Sequence, residues 1–176
     1  MSERTDSIDL APLRLSSGEA RAFDLEVAID PFDLSGQSYD VVPALVPARL
    51  DVSRTTANGY ALRLRFAATF EGPCMRCLEP SSSTFRVDAR EVEQPGAKDE
   101  ELDSPYVEDE VVDLTAWVRD SLSLTLPAQL LCRDDCAGLC ATCGENLNAN
   151  PEHAHETGPD PRWAKLRELQ LQPPSE

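Results

Sequence analysis

The feature that most constrains the fold is a twelve-residue alternation. Tyr60, Leu62, Leu64, Phe66, Ala68 and Phe70 fall on one side, with Arg63, Arg65, Thr69 and Glu71 on the other. Side chains alternate between faces only in a strand, so this run predicts a β-strand with one buried and one solvated face. Its neighbours repeat the pattern. Val46, Ala48, Leu50 and Val52 alternate with Arg49, Asp51 and Ser53, and Asn58-Gly59 then supplies the positive φ angles of a tight hairpin. After Gly72-Pro73, Phe85, Val87 and Ala89 alternate with Thr84, Arg86, Asp88 and Arg90. An earlier run, residues 24–30, sets Leu25, Val27 and Ile29 against Asp24, Glu26 and Asp30, and Pro31 ends it. Strands of this kind make an antiparallel sheet with one solvated side, which needs a cover over the other.

The cover is predicted further along. Asp113 reads as an N-cap, and Leu114, Trp117, Val118 and Leu122 recur at helical spacing until Pro127. Residues 93–110, with Pro95, Gly96 and Pro105 and an excess of acid, read as a flexible loop, and residues 32–42 read as a connection. Residues 1–9 are polar and read as frayed, while Leu10, Leu13 and Leu15 give an apolar signal too short to type. Toward the other end, Asp160 and Pro161 predict a short helix bearing Trp163, Leu166 and Leu169, followed by a disordered tail. Trp117 and Trp163 both read as core residues. The expectation is an α+β fold: an antiparallel β-sheet covered by a helix, a cysteine-rich zinc-knuckle C-terminal element and a short terminal helix. Its segments are 1–23, partly disordered; 24–148, the domain; and 149–176, polar loop, helix and tail.

All six cysteines fall into two clusters. Cys74 and Cys77 sit in the turn between two strands, and Cys132, Cys136, Cys140 and Cys143 lie within residues 131–148, LCRDDCAGLCATCGENLN. Cys140-Ala-Thr-Cys143-Gly144 resembles a metal knuckle, in which a glycine with positive φ lets backbone N–H groups face a sulfur. Thiolates at this spacing suit zinc. Six candidates exceed what one tetrahedral ion needs. Cys132, Cys136, Cys140 and Cys143 as a local set is preferred because it closes the shortest loops. In the alternative, Cys74 and Cys77 join either the Cys140–Cys143 pair or the Cys132–Cys136 pair. Arg76 and Arg133, each beside a cysteine, would offset part of the charge of a four-thiolate site. His153 and His155, the two histidines, lie in an acidic polar loop and read as exposed residues rather than ligands or bases.

Charge narrows the function. The net charge is −16, with a pI near 4.4, so the field of the whole molecule repels RNA and anionic membrane. Between residues 54 and 90, however, six arginines stand against three acids, and Arg63, Arg65, Arg86 and Arg90 share the solvated strand face. That face is a candidate RNA or protein contact, set against an ordinary charged face paired with nearby acids. Neither a signal peptide nor a membrane span is evident, which gives the expectation of a cytoplasmic protein with reduced thiols. No phosphate loop, nucleophile elbow or carboxylate pattern marks an enzyme. A thiol redox protein using Cys74 and Cys77 is the rival from another class, though nothing near the pair in sequence would depress a thiol pKa.

The strand ending in CMRCLEP, the acidic loop, the helix pattern from Asp113 to Pro127 and the LCRDDCAGLCATCGENLN segment together resemble the YceD family. These are bacterial and plastid proteins described as large ribosomal RNA subunit accumulation proteins. The resemblance covers residues 24–148. It implies a non-enzymatic part in large-subunit ribosomal RNA accumulation and ribosome assembly, with no catalytic residue to carry over. It also implies Cys74, Cys77, Cys132, Cys136, Cys140 and Cys143 as candidate metal ligands. The partners it implies are a large-subunit precursor, ribosomal RNA or a basic ribosomal protein, with no membrane and no small-molecule substrate. A zinc-stabilised adaptor unrelated to ribosomes is the third reading.

Overall fold

The computed structural model describes residues 4–96, 99 and 102–155. The chain divides into two units, Met1–Cys136 and Ala137–Glu176. The described part of the first is mostly antiparallel β-sheet with one α-helix. Its strands are β1 (Ser7–Asp9), β2 (Ala20–Ala28), β3 (Phe32–Leu34), β4 (Gln37–Val42), β5 (Leu45–Arg54), β6 (Tyr60–Pro73), β7 (Pro80–Glu93), β8 (Val107–Glu108) and β9 (Val111–Asp113); the helix α1 is Leu114–Thr125.

The alternation that dominates the sequence becomes β6, the centre of the sheet. One edge of β6 pairs with β7 along its full length, from Tyr60 opposite Glu93 to Pro73 opposite Pro80. Its other edge is shared: β5 pairs from Arg54 opposite Tyr60 to Ala48 opposite Phe66, and β4 takes over from Val42 opposite Thr69 to Asp40 opposite Glu71. β2 extends the sheet beyond β5, and β3 beyond β4. The register puts Val27, Val46, Leu50, Val52, Leu62, Leu64 and Phe70 on one face, all buried. Removing a side chain of this size from water contributes about 1.5–3 kcal/mol each, so the apolar face fixes the register against a one-residue slip.

The opposite face carries the cross-strand charges. Arg49 bonds Asp24 at 3.0 Å, Arg65 bonds Asp51 at 2.5 Å and Arg63 bonds Asp88 at 2.6 and 2.8 Å. Such exposed pairs contribute little stability each but leave the face close to neutral.

α1 begins where expected: the Asp113 side chain accepts from the Ala116 N–H at 2.9 Å. Leu114, Trp117, Val118 and Leu122 are buried and belong to the same apolar core as the sheet's inner face. Trp117 also stacks on Tyr106, with centroids 6.0 Å apart.

Three expectations change. Residues 32–42 are not a plain connection but the β3–β4 hairpin, whose turn places Ser35 at φ 53° and Gly36 at φ 78°. That is the two-residue turn with both φ angles positive, which matches strand twist. Part of the polar start is a strand: Ser7 to Asp9 pair with Asp113 to Val111, and Leu10 behind them is fully buried. The acidic stretch is ordered at its far end, where β8 pairs with β9 and Ser104 is buried. The expected terminal helix with Trp163, Leu166 and Leu169 lies outside the described residues. No helix among the described residues is long and apolar enough to cross a membrane.

Candidate metal centres

Two turns hold the chemistry, and they are built alike. In the first, the β6–β7 connection, the Cys74 N–H donates to Glu79 O at 2.7 Å, the Leu78 N–H donates to Cys74 O at 3.0 Å, and Leu78 takes φ 62°. In the second, the Cys140 N–H donates to Glu145 O at 2.8 Å, the Gly144 N–H donates to Cys140 O at 2.8 Å, and Gly144 takes φ 78°. Each is a C-x2-C turn closed on a glutamate, with a left-handed residue after the second cysteine. Glycine adopts that conformation without steric cost, whereas Leu78 holds it under strain.

The first turn does not stand alone. After α1 the chain returns to it: the Met75 N–H donates to Leu130 O at 2.8 Å, and Arg76 reaches Gln129 at 3.0 Å and Cys136 O at 3.1 Å. These contacts bring four sulfurs together. Cys74 Sγ lies 3.8 Å from Cys136 Sγ, and Cys77 Sγ lies 3.6 Å from Cys132 Sγ, with all four within 4.8 Å of one another. Sulfurs placed about 2.3 Å from a central tetrahedral ion stand about 3.8 Å apart, and a disulfide would need about 2.05 Å. The four therefore form a group that could hold a metal ion. Cys74, Cys77 and Cys136 are buried, at 0%, 4% and 2% exposure, while Cys132 lies at the surface.

The sulfurs differ in proton affinity. Burial pulls the Cys74 thiol up, but the backbone N–H groups of Arg76, Cys77 and Cys132 outweigh it and bring it down to about 6. Cys132 is pushed up to about 12, first by desolvation at its sulfur and then by the sulfurs of Cys77, Cys136 and Cys74. One thiolate shared among close sulfurs is what such a divergence describes.

The second group lies in the other unit. Residues 137–155 are held by a bridge between Leu139 and Asn146 and by the Leu147 N–H donating to Gly138 O at 3.0 Å. Here Cys140, Cys143, His153 and His155 place one donor atom each within 4.8 Å of the others, so this group too could hold a metal ion. Cys143 Sγ stands 3.1 Å from His153 Nε2 and 3.2 Å from His155 Nε2. The Cys140 thiol is brought down to about 6, chiefly by the backbone N–H groups of Thr142 and Cys143.

The preferred local set of Cys132, Cys136, Cys140 and Cys143 is thus divided: the first two cysteines group with Cys74 and Cys77, the last two with histidines. Loop closure misled because the core already returns the chain to the β6–β7 turn. His153 and His155, read as bystanders, face Cys143; the signal was the shared C-x2-C-x-E string with a H-x-H downstream. Arg76 lies on the first group through Cys136 O, whereas Arg133 pairs with Asp135 at 3.2 Å. Of the arginine face, Arg63 and Arg65 are engaged by Asp88 and Asp51. Arg86 and Arg90 are exposed on β7, with Arg90 opposite Arg63.

A family model described as large ribosomal RNA subunit accumulation protein YceD matches residues 62–170. An uncharacterized protein of Mycobacterium tuberculosis is 41% identical over 120 residues, 65% of this chain and 58% of that protein. One from Mycobacterium leprae is 34% identical over 170 residues, 92% of this chain and 76% of the relative. A protein of Zea mays named large ribosomal RNA subunit accumulation protein YCED homolog 1, chloroplastic, is 38% identical over 50 residues, 28% of this chain and 17% of its own length. The chain matches 58% of the length of the first curated relatives. No solved structure matches.

Proposed function

The chain belongs to the YceD family, and from that premise we propose that it is a non-enzymatic factor supporting large-subunit ribosomal RNA accumulation and ribosome assembly. The observation that carries the reading is the family match over residues 62–170, which takes in β6, β7, α1 and all six cysteines. In this proposal Cys74, Cys77, Cys132 and Cys136 hold a zinc ion. The donor set supports it: four sulfurs, two of their separations 3.6 and 3.8 Å, with the Arg76 N–H directed at Cys74 Sγ from 3.5 Å. A bound ion would supply a crosslink between the β6–β7 turn and the segment after α1, at a site with no open position for substrate. The work of the site is structural, and the docking surfaces lie elsewhere.

Charge argues for a basic ribosomal protein as the direct contact over bare RNA. The net charge is −16, and Asp51 and Asp88 already engage Arg65 and Arg63 on the basic face. The proposed compartment is the cytoplasm. A redox role for Cys74 and Cys77 is disfavoured by burial, since the two residues are 0% and 4% exposed. Depletion of the protein, followed by sedimentation of ribosomal particles, tests the assignment. A deficit of large subunits is expected, and an unchanged large-subunit profile would remove the ribosomal reading in favour of an unrelated adaptor.

A further inference from the structure

We infer that Cys140, Cys143, His153 and His155 form a second, separate zinc site of two thiolates and two imidazoles, and that the ion is what orders residues 137–155. Three observations on this unit converge on it.

The first is the backbone. The turn at residues 140–145 has the same two hydrogen bonds and the same left-handed fifth residue as the turn at 74–79. A chain that repeats this turn in an unrelated sequence setting repeats the requirement it meets, which is to present two sulfurs to one cation.

The second is the arrangement of donors. His153 Nε2 and His155 Nε2 are 2.9 Å apart, and Cys143 Sγ lies 3.1 and 3.2 Å from them. Three atoms at the corners of so small a triangle cannot all be joined by hydrogen bonds, because an imidazole nitrogen that carries a proton has no lone pair left to accept one, so at least one edge is without a bond. Lone pairs that converge without protons between them are satisfied by a cation at their centre. In a tetrahedral two-thiolate, two-imidazole site the nitrogens stand about 3.3 Å apart and nitrogen stands about 3.6 Å from sulfur. The observed edges are a few tenths of an ångström shorter.

The third is composition. Residues 137–155 carry only Leu139 and Leu147 as large aliphatic side chains, with neither an aromatic side chain besides histidine nor a disulfide. A segment of that kind buries too little apolar surface to order itself, and a structural ion supplies the missing folding energy. The donor set selects zinc over calcium or magnesium, which take oxygen, and the two neutral imidazoles make the site uncharged overall with a divalent ion. This inference stands apart from the ribosomal reading, but its first observation and the expected count of two ions rest on the four-cysteine proposal.

The test is metal content of the full-length chain, purified without a metal-affinity tag and measured by elemental mass spectrometry, for the parent, His153→Ala/His155→Ala and Cys74→Ser/Cys77→Ser. Hydrogen exchange is followed in parallel. About two zinc ions per chain are expected in the parent and about one in the histidine variant. In that variant, protection should fall across residues 137–155 and persist in β5–β7. Two zinc ions retained in the histidine variant, or one ion in the parent that survives it, overturns the site. Should the cysteine variant aggregate, the histidine variant still decides, and cobalt substitution gives a second reading: the parent's absorption should lose its sulfur–nitrogen component in the histidine variant and keep its all-sulfur component.

Discussion

Gly72→Ala should both destabilise the sheet and loosen the first metal group. Gly72 lies in β6, two residues before Cys74. A Cβ added there would land on the Tyr39 ring, 2.9 Å from Cε1, 3.0 Å from Cγ and closer still to Cδ1. Tyr39 cannot yield cheaply: it is 1% exposed, and its hydroxyl donates to Pro73 O at 2.8 Å. Overpacking a full core costs about 1–3 kcal/mol, and breaking a buried hydrogen bond adds about 1–2 kcal/mol. Removing glycine from a strand interior returns about 0.5–1 kcal/mol. The net loss is therefore about 1–4.5 kcal/mol, read by urea unfolding monitored by circular dichroism. Tyr39→Phe separates the parts, since it deletes the hydrogen bond alone and should cost about 1 kcal/mol. Because the Tyr39 hydroxyl fixes the carbonyl that precedes Cys74, Gly72→Ala should also weaken metal retention against a chelator. A Gly72→Ala protein within about 0.5 kcal/mol of the parent would refute the reasoning, since that is the range of a substitution that meets nothing.

Chelation of the zinc-loaded protein should lower its thermal midpoint reversibly; an ion present at about 100 times its dissociation constant contributes about 2.7 kcal/mol, and an unchanged midpoint after complete metal removal contradicts a structural role. Metal retention should fall as the pH is lowered, because the ion competes with protons for the thiolates; a pH-independent affinity measured by competitive titration contradicts thiolate ligation. Leu78→Gly should be neutral to stabilising by about 1 kcal/mol, since it relieves a left-handed leucine at 56% exposure, whereas a clear loss in urea unfolding would show that the Leu78 side chain packs on something that matters. The Asp88 carboxyl is held below its usual range by its hydrogen bond to Arg63. Its stabilising effect is thus present at neutral pH and lost as pH falls through that lowered value. Arg63→Ala should raise the Asp88 pKa in a carboxyl NMR titration, and no upward shift would discount the pair.

The sheet was legible where a strand is long enough to show its own period. The alternations of β5, β6 and β7 appear residue by residue, and Asp113 marks a cap by its own chemistry; Asn58-Gly59 marks the β5–β6 hairpin but not its turn, since the connection is the five residues 55–59 and only Asn58 takes a positive φ, 59°. β1 was not legible, because three residues carry no period and Ser7–Asp9 becomes a strand only by pairing with Asp113 to Val111. The β3–β4 hairpin was legible in principle: Phe32 and Leu34, then Tyr39 and Val41, alternate around Ser35-Gly36. The sulfur grouping was legible only as an alternative: Cys74 and Cys77 with Cys132 and Cys136 stood beside the local set, which sequence distance ranked first by loop length. Cys77 meets Cys132 across 55 positions because α1 and Leu130 first return the chain to the turn at Met75. His153 and His155 looked inert for want of an apolar setting, yet an ion site needs donor geometry more than burial.

The central claim is that Cys74, Cys77, Cys132 and Cys136 close on one ion and so clamp the sheet to the chain beyond α1. A crystal of the full-length protein, measured on both sides of the zinc absorption edge, tests it directly. The account predicts an anomalous peak about 2.3 Å from each of these four sulfurs. A peak that instead joins Cys132 and Cys136 to Cys140 and Cys143, or four sulfurs with no peak among them, would contradict it.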